Sequence, residues 1–189
     1  IGDAKWDWAR DQYSRLAMAY EAAGFDGAIV ETVADLREFK CALVSLNEHF
    51  TGLKIALMTF QDVDGTVTGT KPLAYLKAAE RLGVDVVGLN CTTGPDEFYE
   101  IVKLLRANTH LPIAVEPNAG MPQLIDGRNV FPATPYEFGA AAARFADLGV
   151  NIIGGCCGTS PEFIKRMRAA AHRKPPVPRP APDAARSEE

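Results

Sequence analysis

A parallel α/β fold with helical crossovers is predicted by two observations: a strand plan that recurs three times, and the regular alternation of helix and strand signals between its copies. Ala23-Gly24-Phe25-Asp26-Gly27-Ala28-Ile29-Val30-Glu31, Leu82-Gly83-Val84-Asp85-Val86-Val87-Gly88-Leu89-Asn90 and Leu148-Gly149-Val150-Asn151-Ile152-Ile153-Gly154-Gly155-Cys156 each carry a helix-ending glycine, an apolar residue, Asp or Asn, and then a strand. Seven residues beyond each glycine stand Glu31, Asn90 and Cys156, with Cys91 and Cys157 one step further. Ile55–Phe60 and Pro112–Val115 fall between the copies, so the repeats are every second strand of a β-α series, the pattern of a parallel sheet with helical crossovers. Open doubly wound sheets and closed barrels both fit such a series. The (β/α)8 TIM-barrel type is favoured, because alternate barrel strands feed one interior layer and sites lie at the C-terminal strand ends, where Glu31, Cys91 and the Cys156-Cys157 pair would converge on one mouth. About five βα units are legible, so the expectation is a partial barrel over residues 1–173, with about three units lying before Ile1 or the sheet left open.

The elements follow in order. Residues 4–23 place aromatic and aliphatic side chains (Trp8, Tyr13, Leu16, Met18, Tyr20) among charges at helical spacing, ended by Gly24. Phe25–Val30 reads as a strand delivering Glu31, Asp35–Phe50 as a helix, and Ile55–Phe60 as the next strand. The stretch Asp62-Val63-Asp64-Gly65-Thr66 reads as a turn, since a calcium loop would need a terminal bidentate Glu that is lacking. A Pro72-led helix runs to Leu82, a strand spans Val84–Asn90, and Pro95 opens a helix to about Ala107. Pro112–Val115 is a strand ending in Glu116-Pro117-Asn118-Ala119-Gly120, followed by a long Pro/Gly loop. Thr134-Pro135-Tyr136-Glu137 is a capping-box start for a helix to Leu148. The last strand, around Ile152-Ile153, is expected to be buried, and Ser160-Pro161-Glu162 opens the last helix, to about His172. Residues 174–189 are a proline-rich linker or tail.

Composition bounds the function. A chain of 189 residues with 47% hydrophobic and 23% charged residues is an ordinary globular protein. A net charge of −4, with bases and acids interspersed, does not suit nucleic acid or an anionic membrane. No apolar run approaches the about 20 residues of a spanning helix, and a cytoplasmic location is expected. Four cysteines in a chain of this length point to metal or catalysis in a reducing compartment.

Cys91, Cys156 and Cys157 have two readings. They are small buried hydrophobes at strand ends, or they are soft thiolate ligands that select zinc and leave a fourth position open for substrate. A vicinal disulfide between Cys156 and Cys157 is strained and unsuited to a reducing compartment. Cys41 lies mid-helix without such company and reads as core. Glu31 is either an acid at the start of the following helix or a ligand-binding group at a strand end, and Glu116-Pro117-Asn118-Ala119-Gly120 on its own is compatible with turn chemistry.

Five stretches together resemble the homocysteine S-methyltransferase family, and within it the homocysteine-binding domain of the cobalamin-dependent methionine synthases. They are Val30-Glu31-Thr32 with Asp35-Leu36, Met58-Thr59-Phe60 with Thr68-Gly69-Thr70, Gly88-Leu89-Asn90-Cys91, Val115-Glu116-Pro117-Asn118-Ala119-Gly120, and Gly154-Gly155-Cys156-Cys157-Gly158-Thr159. The resemblance implies a (β/α)8 barrel and Zn2+ held by Cys91, Cys156 and Cys157, with Asn118 a weak fourth ligand displaced by L-homocysteine. It implies that Glu31 receives the substrate ammonium group, and that the reaction is methyl transfer to the homocysteine thiol to give methionine. In the family resembled, the donor is methylcobalamin on a separate module, recharged from a folate module, and this chain is not expected to bind it. The Asp-Gly-Ala-like segment of the family's first strand has no counterpart before Trp6, so the chain is expected to be a C-terminal piece of a longer enzyme whose partner is the N-terminal barrel half. The alternatives are a stand-alone zinc methyltransferase using betaine or S-methylmethionine, and a non-catalytic zinc-thiolate fragment.

Overall fold

The structure, a computed structural model, describes residues 2–171. The chain forms two compact units, one up to Asn90 and one from Cys91 onward. The proline-rich tail and His172 lie outside the described residues.

The first unit runs α1 (Trp6–Ala23), β1 (Gly27–Val33), α2 (Leu36–His49), β2 (Leu53–Met58), α3 (Pro72–Arg81) and β3 (Val86–Asn90). Its strands are parallel in the order β1-β2-β3, with Ile29 opposite Ile55 and Ala56 opposite Val87. Short-range chemistry fixes the helix ends. Gly24 closes α1 in the left-handed region at φ 70°, and the Asp35 carboxylate accepts the Arg37 and Glu38 N–H groups at 2.8 and 3.0 Å. Glu31 therefore does not cap α2, because Asp35 does.

Tyr75 organises the core. It is fully buried, its hydroxyl hydrogen-bonds the carbonyls of Ala56 (2.6 Å) and Gly88 (3.0 Å), and it accepts the Gly88 N–H at 2.9 Å, which bolts α3 across β2 and β3. Phe39 and Phe60 pack edge-on to its ring at 5.2 and 5.6 Å. Cys41 is fully buried in α2, as core. The expected apolar stripe of α1 is replaced by a narrower contact. Trp8, Leu16 and Met18 are exposed and the helix buries Ala9 and Ala17, because small residues are what let α1 lie close against α2.

The second unit runs α4 (Pro95–Arg106), β4 (Ile113–Glu116), β5 (Gln123–Ile125), β6 (Arg128–Val130), α5 (Pro135–Asp147), β7 (Ile152–Ile153) and α6 (Pro161–Ala171). β4 and β7 are parallel, Ala114 facing Ile152 and Val115 facing Ile153. Thr134 and Glu137 form the expected capping box on α5. Ala119, Phe138, Ala142, Phe163 and Met167 make the core beneath α5 and α6, and Phe138 meets Phe163 edge-on at 4.9 Å.

Two features of the second unit differ from expectation. The long Pro/Gly loop contains an antiparallel hairpin, β5–β6, whose Asp126-Gly127 turn has both residues at positive φ (49° and 73°). Its flanking residues are all exposed, so hydrophobic alternation gave no signal there. The last strand is only two residues long, and Ile152 is 39% exposed rather than buried. Among the described residues no helix is long and apolar enough to cross a membrane.

Candidate metal centre

The segment Glu116–Ala119, the last residue of β4 and the three beyond it, works as a splint for all three clustered cysteines. Its carbonyls accept the Cys91 N–H (Glu116, 2.9 Å) and the Cys156 N–H (Pro117, 2.9 Å). The Asn118 carboxamide oxygen accepts the Cys157 N–H at 3.0 Å, and the Ala119 N–H donates to the Cys157 carbonyl at 2.8 Å. Four successive residues thus fix residues that arrive from opposite ends of the unit. Asn118 itself is buried, at 4% exposure, and its own N–H donates to the Thr93 carbonyl at 3.0 Å.

Local backbone geometry aims the thiols. Cys91 and Thr92 are consecutive non-glycine residues in the left-handed region, at φ 63° and 59°, a conformation that costs about 1–2 kcal/mol per residue. The Thr93 N–H closes the turn on the Cys91 carbonyl at 2.8 Å. Such strain persists only where surroundings impose it, and it clusters at functional sites. On the other side, Thr159 caps the Cys156 carbonyl through its hydroxyl at 2.8 Å, and its side chain fills the space a Cβ on Gly155 would need, 2.7 Å away. Gly158, at φ 79°, lies under the Phe131 ring, with Phe131 Cγ 2.2 Å from where a Cβ would stand. Phe131 follows the hairpin directly and packs against the core beneath α5 and α6.

The result is a thiol triangle. The Sγ atoms of Cys91, Cys156 and Cys157 all lie within 4.8 Å of one another, with Cys91 to Cys157 at 4.0 Å and Cys156 to Cys157 at 3.9 Å. A tetrahedral zinc with Zn–S bonds of about 2.3 Å separates its sulfurs by about 3.8 Å, so the spacing fits that ion with little adjustment. A disulfide would bring two of these sulfurs to about 2.05 Å, and all three thiols are free. Cys91 and Cys156 are half-buried and Cys157 is exposed, so the cluster has an open side. Burial pushes the Cys156 thiol up to about 12, and the neighbouring Cys91 adds to the shift. A thiol held protonated in this way becomes a ligand only by giving its proton up to a metal. The reading of these cysteines as mere buried hydrophobes does not hold for Cys157, which is exposed.

Glu31 belongs to the first unit and stands at a break in β1. The β1–β2 register shifts between Val30 and Val33, and the alternation of buried and exposed residues slips by one at Glu31-Thr32. Its carboxylate accepts from the Asn90 side-chain amide at 3.2 Å. The structure thus brings Cys91, Asn118, Cys156 and Cys157 together in one unit and gives Glu31 a fixed position in the other. Sequence reasoning missed Phe131, whose role depends on a tertiary contact, and the hairpin before it, for which Asp126-Gly127 was the available turn signal.

Known proteins resemble this chain in sequence and in fold. The family model described as homocysteine S-methyltransferase matches residues 3–171. A methionine synthase of Mycobacterium leprae is 37% identical over 179 residues, covering 92% of this chain and 15% of its own length, so the chain spans a small part of that relative. The homocysteine methyltransferase MmuM from Escherichia coli has the same fold in its apo form (TM-score 0.74, 20% identity, 89% of this chain and 58% of that one). Its metallated form matches as well, with TM-score 0.73 and 20% identity over 92% of this chain and 54% of that one. The chain is therefore an α/β protein carrying part of a (β/α)8-type barrel. With the match running from residue 3 to residue 171, it belongs to the homocysteine S-methyltransferase family.

Proposed function

We propose that this chain is the zinc-binding, thiol-activating part of an enzyme that methylates L-homocysteine to methionine, and that it acts as a segment of a methionine synthase. The observation that carries the reading is the thiol triangle, three sulfurs within 4.8 Å of one another on the residues Cys91, Cys156 and Cys157. Methyl transfer to a thiol requires the thiolate, and a free thiol with a pKa of about 8.5 is mostly protonated at neutral pH. Zn2+ on this sulfur set would supply the missing step, loss of the substrate thiol proton at neutral pH.

The chain's own residues provide the rest. The splint from Glu116 to Ala119 holds the sulfur-bearing loops in place, so little rearrangement is needed when ligands arrive. Asn118 is a candidate weak fourth ligand that substrate displaces. One lone pair of its oxygen already serves the Cys157 N–H, which leaves the second for a metal. Glu31 is the acceptor for the substrate ammonium group. The methyl group would come from methylcobalamin on a separate module, itself recharged from a folate module. Identity to a methionine synthase far longer than this chain supports that division of labour. Free thiols of this kind suit the reducing cytoplasm.

Calorimetric titration of L-homocysteine into the zinc-loaded and metal-stripped chain tests the reading. Binding with proton release that depends on zinc is expected. Binding that is the same without zinc would contradict it.

A further inference from the structure

Asn90 is fully buried, and its carboxamide uses both ends on the tip of β1 and its neighbour β2. The oxygen accepts the Thr32 backbone N–H at 3.0 Å and the Thr59 hydroxyl at 3.4 Å. The amide nitrogen donates to the Thr32 hydroxyl at 2.6 Å and to Glu31 Oε1 at 3.2 Å. The orientation of the amide is not arbitrary. A backbone N–H can only donate, so Thr32 fixes the oxygen on its side and leaves the NH2 group to face Glu31.

Thr32 also carries strain. It is β-branched and sits at φ 58°, in the left-handed region that such residues avoid, within the register shift of β1. Asn90 grips it at both the backbone and the hydroxyl, and Thr32 is the residue at which the alternation of β1 slips, while Glu31 beside it keeps an exposed position. An ammonium acceptor needs a carboxylate whose position is set before the ligand arrives, with part of its hydrogen-bonding capacity satisfied by the protein.

We infer that Asn90 is the positioning residue of an ammonium-recognition subsite. By holding Glu31 through its side-chain amide and Thr32 in a strained turn, it confers preference for thiols that carry an amino group over those that do not. The inference rests on the reading of Glu31 as the acceptor of the substrate ammonium.

The test is a double-mutant cycle of Asn90→Asp and Glu31→Gln in the zinc-loaded full chain, read as binding of L-homocysteine and of its desamino analogue 4-mercaptobutyrate. Asn90→Asp keeps the acceptor for the Thr32 N–H but replaces the donor facing Glu31 with a second carboxylate oxygen. Each single variant should weaken homocysteine binding by about tenfold, and the double variant should be no weaker than the weaker single one. Binding of 4-mercaptobutyrate should stay within about twofold throughout, since it lacks the group being recognised. If Asn90→Asp binds homocysteine like the unaltered chain while Glu31→Gln does not, the role of Asn90 is overturned and that of Glu31 stands. A wild-type-like Glu31→Gln overturns the reading of Glu31 itself. Equal weakening of both thiols by Asn90→Asp would reduce Asn90 to general scaffolding and overturn the inference. Should that variant not fold, the Asn90 side-chain amide NMR signals of the unaltered chain decide. They should move with homocysteine and not with 4-mercaptobutyrate, and signals indifferent to homocysteine overturn the inference.

Discussion

The Asn118 carboxamide oxygen accepts the Cys157 backbone N–H at 3.0 Å, which ties the loop after β4 to the vicinal cysteine pair. Replacing Asn118 with Ala leaves that N–H without its acceptor and loosens Cys157. Zinc affinity should fall about 10- to 100-fold, as for other residues that support metal ligands. Asn118→Asp, which keeps an acceptor oxygen, should lose less. Competition with a chromophoric chelator measures both, and an unchanged affinity in Asn118→Ala would remove Asn118 from the site.

Gly158 cannot take a side chain in this structure. An alanine there meets the Phe131 ring and must also hold φ 79°. Gly158→Ala should destabilise the fold by about 2 kcal/mol or more. Phe131→Ala in the same chain should recover the steric part and leave about 1 kcal/mol of backbone strain. Denaturant unfolding of the two variants and their combination checks the coupling.

Zinc uptake should release protons and strengthen as pH rises. Burial holds the metal-free Cys156 thiol at about 12, so near neutrality it carries a proton that coordination must displace. Acidification favours the proton over the metal, so affinity falls from about pH 8 to about pH 6. Chelator competition across that range measures the slope, and a flat profile would mean that thiolate ligation is not what binds the metal.

Tyr75→Phe tests the core of the first unit. The variant leaves the buried Gly88 N–H without its hydroxyl partner and removes the contacts to the Ala56 and Gly88 carbonyls. A loss of about 1–3 kcal/mol is expected in urea unfolding, because a buried unpaired donor bears its full desolvation penalty.

Much of this architecture is legible in the sequence because its causes are local. Asp35, Thr134 with Glu137, and the prolines at 72, 95, 135 and 161 start their helices through groups a few residues away. The glycine-anchored repeat locates Glu31 within β1, Asn90 at the end of β3 and Cys156 just past β7 because the βα unit itself recurs. What could not be read depends on distant residues. The end of β1 extends to Val33 instead of stopping at Val30, since the bend at Glu31-Thr32 is held by Asn90, 58 residues from Thr32. The burial of Ala9 and Ala17 in place of Trp8 follows from how closely α2 approaches α1. The seat of Phe131 over Gly158 joins a hairpin with no core-facing pattern to the thiol loop.

X-ray absorption at the zinc edge, on the zinc-loaded chain with and without L-homocysteine, tests both the sulfur ligation of the metal and the entry of the substrate thiol. One zinc per chain bound by three sulfurs, rising to four with homocysteine, is the predicted result. Zinc that fails to bind, or a sulfur count below three in the substrate-free state, would contradict assignment of the metal to Cys91, Cys156 and Cys157. A count that stays at three with homocysteine present would contradict the proposed activation of its thiol.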